Sequence, residues 1–313
     1  MLWIELVAGL ALLVGGGEAL VRGATALASR LGVSALLIGL TVVGFGTSTP
    51  ELVTSLQAAF ADAPGIAVGN VVGSNTANAL LILGAAALLM PFAVERRAFG
   101  RDGPALVLAT LAGVGIVLWG SLSRPTGAAP VLGLAAYLVY AYRSERAAAS
   151  PSAPDAGAAA VPAMRLPPAL LWAAGGIALT VVGARLLVSG AIELAALWGV
   201  SDAVIGLTVV AVGTSLPELV TSVVAALRRQ GGIAFGNVVG SNLYNILGIL
   251  GITALVRPIP VPPEIAAVDI WVMLAATAAL IAAAVTGWRV SRAEGIVLLA
   301  AYGGYVAWLA MGA

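Results

Sequence analysis

Residues Gly39–Gly84 of this 313-residue chain recur without a gap as Gly206–Gly251, an offset of 167, and 31 of those 46 positions are identical. Two stretches are almost unchanged: GLTVV-x-x-GTS-x-PELVTS at Gly39–Ser55 and Gly206–Ser222, and GNVVGSN-x-x-N at Gly69–Asn78 and Gly236–Asn245. Such likeness inside one chain marks a duplication, so the two halves must fold alike. Composition then names the solvent. The chain is 61% hydrophobic and 9% charged, against about 45–50% and about 25% in soluble domains, and its mean hydropathy is +1.06. No soluble core hides that much apolar surface, so the solvent is a bilayer.

A spanning helix takes about 20 predominantly apolar residues. That rule predicts helices near 2–25, 33–61, 66–90, 104–122 and 127–143, and again near 167–192, 200–227, 233–255, 265–287 and 292–312. Equivalent points lie five helices apart. Five is odd, so the second copy enters the membrane from the opposite side. The predicted fold is an all-α integral membrane protein: ten transmembrane helices in two inverted five-helix repeats, an arrangement found in many secondary transporters. The first repeat covers 1–143 and the second 167–313. Between them, residues 144–166 are rich in Ala, Pro and Ser and read as a flexible linker. The N-terminus lacks the basic segment of a secretory signal and reads as the start of a mature helix.

Every basic residue is Arg, and their placement predicts orientation. With the N-terminus outside, eleven Arg fall in inner loops, and only Arg124 and Arg257 in outer ones. Both termini are therefore expected outside, with the linker cytoplasmic; a compact chain of this kind suits a prokaryotic inner membrane. The net charge of +1 offers no footprint for nucleic acid, and no obligate protein partner is evident. His and Cys are both absent, which removes thiolate and imidazole chemistry, disulfides, haem ligation and the usual zinc sites. No catalytic constellation or organic cofactor site remains, so an enzyme is not expected.

Most acidic residues fall in loops or near helix ends, but Glu51 and Glu218 sit in the middle of apolar spans at equivalent places. A charge there costs roughly 3 kcal/mol even on lenient scales, and such residues usually face a bundle interior or a water-filled cavity. Thr47, Glu51 and Ser55 share one helical face, flanked by Ser48 and Thr54; Thr214, Glu218, Ser222, Ser215 and Thr221 repeat the set. Pro50 and Pro217 precede the two acids. Proline clashes with the carbonyl four residues back, so the second and seventh helices should break, freeing carbonyls near Gly44–Gly46 and Ala211–Gly213. A second stripe, Asn70–Ser74–Asn78 and Asn237–Ser241–Asn245, recurs at spacing four. The glycines at 69, 73, 236 and 240 should let helices approach closely. Simple interhelical hydrogen bonding is the alternative reading of this stripe. Carboxylates, hydroxyls, amides and carbonyls without imidazole or thiolate form a hard-oxygen shell suited to Ca²⁺, Na⁺ or Mg²⁺; flexible ligands disfavour Mg²⁺. Two carboxylates balance one Ca²⁺ or two Na⁺.

At these residues the sequence resembles the cation/calcium exchanger (CaCA) superfamily, close to its prokaryotic sodium/calcium antiporters. GTS-x-PE in the second helix of each copy and GNVVGSN in the third are similar to that family's two alpha repeats. The resemblance implies a cation cluster shared by the second, third, seventh and eighth helices. Glu51 and Glu218 would coordinate Ca²⁺ together with the carbonyls of Thr47 and Thr214. Ser48, Ser215, Ser74 and Ser241, with the carbonyls of Gly44 and Ala211, would serve flanking Na⁺ sites, and Asn78 and Asn245 would take the remaining positions. The first and sixth helices would slide across this core. Some members of the family carry Asp where Asn245 stands, and the missing charge bears on how many sodium ions move. The expected activity is sodium-driven extrusion of calcium. A proton- or potassium-coupled calcium antiporter and a cation channel are the alternatives. Glu18 and Arg185 are equivalent across the repeats; inversion sends them to opposite faces, so no direct pair between them is expected, and neither is assigned a transport role.

Overall fold

The computed structural model describes residues 2–148, 164–197 and 211–311. The first half comprises α1 (Leu2–Leu31), a broken pair α2 (Ala35–Thr47) and α3 (Thr49–Phe60), α4 (Pro64–Leu89), α5 (Arg96–Leu118) and α6 (Arg124–Ala148). The second comprises α7 (Leu166–Leu197), α8 (Ala211–Thr214), α9 (Leu216–Leu227), α10 (Gly231–Val256), α11 (Ile265–Val285) and α12 (Arg292–Ala310). The chain is all-helical apart from four two-residue strands among the described residues. By length and composition, six described helices can cross a bilayer, and the bent pair α2–α3 makes a seventh. Charged ends with Tyr and Gly dilute α6 and α12, and α9 has only 12 residues. The leading part of the expected span at 200–227 lies outside the described residues up to position 210.

Four boundaries move by five residues or more: α5 starts at Arg96 rather than 104, α7 runs to Leu197 rather than 192, and α1 and α6 are both extended at their ends. α1 continues to Leu31, past the expected 25, since nothing in Ala26–Leu31 breaks a helix before Gly32 turns the chain at φ 64°. α6 runs to Ala148, into the expected linker, because Ser144–Ala148 are helix-compatible and Glu145 is held from outside the helix. Residues 149–163 of the linker lie outside the described residues.

The helices divide into a centre and a rim. The most apolar windows of α4 and α10 are each 78% buried, against 28–44% for α1, α5, α7 and α11. The Asn–Ser–Asn stripes are therefore carried on the two most buried of these six helices. α2 lies directly on α10: a Cβ on Gly236 would stand 2.3 Å from the Leu36 carbonyl oxygen, and one on Gly240 only 2.1 Å from that of Leu40. The close approach expected of these two glycines is thus present.

On the rim, α1 and α7 pack antiparallel through a seam that the sequence reading passed over. Gly9, Gly16 and Gly23 face Gly176, Gly183 and Gly190, each set at spacing seven. A Cβ on Gly23 would meet the Ala173 nitrogen at 2.4 Å, and one on Gly176 the Leu20 nitrogen at 2.4 Å. Backbone packs on backbone, as small residues permit in membranes. The two halves are also laced at their ends by antiparallel strands. β1 (Phe92–Ala93) pairs with β4 (Arg289–Val290), and β2 (Ser121–Leu122) with β3 (Ile259–Pro260).

Candidate cation site

The site begins with two breaks. α2 ends and α3 begins at Ser48 (φ −81°, ψ 11°), and the axes bend by 43°. Pro50 stands in the first turn of α3, where a missing N–H costs nothing. Ser215 (φ −90°, ψ 8°) and Pro217 repeat this at the α8–α9 junction. The break therefore falls nearer the glutamates than expected, and Gly44 stays in the helical ladder: its carbonyl accepts from the Ser48 nitrogen at 3.1 Å. It also accepts from the Ser241 hydroxyl at 3.3 Å, so it is not a bare carbonyl. Ala211 and Thr214 both lie in α8, with Thr214 its last residue. On α4 and α10 the ladder loosens into π-helical turns, Asn78–Ile82 and Tyr244–Ile249, which carry Asn78 and Asn245. Such turns are frequent at functional sites.

Each break points a serine at the other half's glutamate. Ser48 donates its hydroxyl to Glu218 Oε1 at 2.7 Å, and Ser215 donates to Glu51 Oε1 at 3.2 Å. Ser215 also lies 3.4 Å from the Ser74 hydroxyl. Both glutamates are only 1% exposed. Behind them the wiring repeats. Asn70 donates to the Glu51 carbonyl (3.0 Å) and the Ser55 hydroxyl (2.9 Å); Asn237 donates to the Glu218 carbonyl (3.2 Å) and the Ser222 hydroxyl (2.8 Å). Thr47 donates to Asn237 Oδ1 at 3.1 Å and to the Val43 carbonyl at 3.0 Å.

The structure thus gathers Glu51, Ser215 and Ser74, then Glu218 and Ser48, then Gly44 and Ser241. Asn78 and Asn245 lie one turn beyond the two serines and bond to neither glutamate. Asn78 donates to Asn242 Oδ1 at 3.0 Å, while Asn242 donates to the Asn75 carbonyl at 3.5 Å. Asn75 and Asn242 belong to the GNVVGSN motif, but they sit one position off the spacing-four stripe, which is why that stripe missed them. Asn70 and Asn237 were on the stripe, yet they act as supports behind the glutamates.

Seven buried side-chain oxygens have no hydrogen-bond partner among the described residues: four on Glu51 (Oε2), Glu218 (Oε2), Asn78 (Oδ1) and Asn245 (Oδ1), and three on Asn75 (Oδ1), Thr221 and Thr253; the amide nitrogen of Asn245 is unpartnered as well. Leaving one such group unsatisfied costs about 1–3 kcal/mol, and more if charged. A positive charge is the partner the first four oxygens all accept. Among the described residues no group of three or more His, Cys, Asp or Glu could hold a metal ion. The donor set is two carboxylates among neutral oxygens, a chemistry for hard cations.

Known proteins match along nearly the whole length. The sequence profile described as "Sodium/calcium exchanger protein" covers residues 1–143 and 168–311. The inner membrane protein YrbG of Escherichia coli (strain K12) is 36% identical over 98% of this chain and 95% of its own length. The sodium/calcium exchanger MaX1 of Methanosarcina acetivorans is 35% identical over 96% of each. Among solved structures, the sodium-calcium exchanger NCX_Mj superposes with a TM-score of 0.84 at 32% identity, covering 97% of both chains. With its two polar motifs folded into one buried cluster of oxygens, this chain belongs to the sodium/calcium exchanger protein family.

Proposed function

We propose that this protein is a secondary antiporter that exchanges Ca²⁺ for Na⁺ by alternating access, driving calcium out of the cell with the sodium gradient. The observation that carries the reading is the set of four buried, unpartnered oxygens on Glu51, Glu218, Asn78 and Asn245. Two carboxylates, two amides and the hydroxyls of Ser48, Ser74, Ser215 and Ser241 offer a desolvated cation the coordination that water supplied. The backbone at Gly44, Thr47, Ala211 and Thr214 completes the proposed shell. Its charge of −2 is matched by one Ca²⁺ or by two Na⁺, so either ion set leaves the buried site neutral. Neutral occupied forms can be carried across a low-dielectric midplane; an unfilled doubly charged form cannot. That difference couples the two ions without any covalent chemistry.

Ten spans in two inverted repeats, 1–143 and 167–313, place the breaks at the midplane. The 144–166 linker lies in the cytoplasm and both termini lie outside, in a bacterial-type inner membrane. The antiparallel α1–α7 seam and the end-to-end exchange of β1–β4 and β2–β3 support this arrangement.

The test is uptake of radioactive calcium into sodium-loaded proteoliposomes, with and without an outward sodium gradient, using Glu51→Gln as control. Uptake that needs the gradient and disappears in the variant is expected. Uptake indifferent to sodium would move the coupling to protons or potassium, and non-saturating flux without a counter-ion would make the protein a channel. Asn245→Asp adds a charge to the site and should increase the charge moved per cycle; unchanged electrogenicity would refute the charge argument.

A further inference from the structure

The 167-residue offset also relates the surroundings of the two motifs, and it picks out an ion pair made on one side only. The face where α1 ends and α7 begins is here the linker face; the face where α1 begins is the terminal face. Toward the linker face, Glu18 of α1 is clamped by Arg228, the residue that caps the end of α9: Nε reaches Oε2 at 2.8 Å and Nη2 reaches Oε1 at 2.5 Å. α1 packs along α9 there, with Gly17 admitting Val220 and Val224.

Moved by the offset, Glu18 becomes Arg185 on α7, and Arg228–Arg229 become Ala61–Asp62 at the end of α3. The acid of α1 thus becomes a base, the clamping Arg228 is matched by the neutral Ala61, and the acid Asp62 stands one residue further on, where Arg229 is. The turns agree in shape, since Asp62 and Arg229 both adopt the left-handed conformation (φ 54° and 58°). Yet no pair between Arg185 and Asp62 is made. Arg185 is exposed and has no partner among the described residues, and α7 barely touches α3. Asp62 is held instead by Arg257, at the end of α10, which also donates to the Phe60 carbonyl at 3.2 Å.

We propose that Glu18–Arg228 and Arg185–Asp62 are two latches of the transport cycle, one per face, closed in alternation, with Arg257 holding Asp62 while its latch is open. The proposal rests on the alternating-access reading above. The glycine seam joins α1 and α7 into one body, so a movement that frees Glu18 from Arg228 carries Arg185 toward Asp62. Exposed ion pairs are weak, which suits a contact that must break in every turnover.

The chain contains no Cys, so introduced pairs report without background. Glu18→Cys with Arg228→Cys, Arg185→Cys with Asp62→Cys, and all four together are placed in the full chain in proteoliposomes. They are then treated with a short, cleavable thiol cross-linker. Each pair is expected to bridge, each bridge to stop calcium uptake, and cleavage to restore it; in the four-cysteine protein, one bridge excludes the other. Both bridges in one molecule, no bridge between positions 185 and 62, or full transport by bridged protein would overturn the proposal. If the cysteines prevent insertion, Arg185→Asp should slow uptake and Asp62→Arg should restore it; absence of rescue counts against the latch. Bridging is read on gels, so it stands apart from the cation site. Uptake retained in Glu51→Gln would refute that site and leave the bridging pattern intact.

Discussion

The surroundings of Glu51 and Glu218 can be exchanged almost atom for atom, whereas those of Asp102 and Asp269 cannot. Around the glutamates, each half contributes a serine to the other's carboxylate and an asparagine behind its own. Asp102 and Asp269 are also equivalent, and each accepts a tyrosine hydroxyl at 2.7 Å, from Tyr137 and Tyr305. There the likeness ends. Asp102 is 1% exposed and also binds Arg101, which reaches Glu145 at 3.3 Å; Glu145 in turn accepts from the nitrogen and hydroxyl of Ser34, both at 2.7 Å. Ser34 caps α2, the helix that leads to Glu51. In the second half Val268 stands where Arg101 does, and Asp269 is half-buried. The difference has a physical reason. A site between two halves is seen by both, so each half must supply the same groups; the far ends of α5 and α11 face different neighbours and are free to differ.

The strongest test of the equivalence is the glutamates themselves. Glu51→Gln and Glu218→Gln should each lower calcium transport by more than about 100-fold, since even supporting residues around a bound metal are worth 10–100-fold. The two losses should agree within a few-fold, and an inert variant on either side would break the comparison. The ends should answer the other way. Asp102→Ala removes one partner of a buried ion pair, which costs about 3–5 kcal/mol, while Asp269→Ala should cost about 1 kcal/mol; thermal unfolding in detergent reads both, and equal shifts would erase the contrast. Next come the supports. Asn70→Ala and Asn237→Ala should each weaken calcium binding by roughly 10-fold or more, measured as the calcium concentration for half-maximal uptake. The smallest effect sharpens the comparison inside the motif. Asn242→Ala frees the amide of Asn78 and should weaken binding by about 10-fold. Asn75→Ala should do little, since Asn75 bonds back to Val71 in its own helix at 2.7 Å. Matching effects would mean that Asn242 does not orient Asn78.

Much of this was legible before any coordinates. Glu51 and Glu218 stand out because an acid in the middle of an apolar run has to be explained by something other than solubility, and the serines and threonines beside them share a helical face. The proline-induced breaks were legible too, although their position at Ser48 and Ser215 was not, because a helix can place Pro50 in its first turn rather than bend around it. The glycine seam was written in the sequence as a seven-residue spacing on α1 and α7, but spacing alone does not say which helix lies opposite. Asn242 shares a motif with Asn245, yet only the position of α4 against α10 makes it a partner of Asn78.

By itself, the sequence determined what each half must contain: apolar helices, one buried acid apiece, and oxygen-bearing side chains at helical spacing, all of which depend on residues a few positions apart. The tertiary structure alone decided which half serves which. That Ser48 bonds Glu218 rather than Glu51, that Glu18 finds Arg228, and that Glu145 holds Ser34 at the start of α2 are contacts spanning 111 to 210 positions. Only the packing of α2 on α10, and of α1 on α7 and α9, brings those atoms within reach.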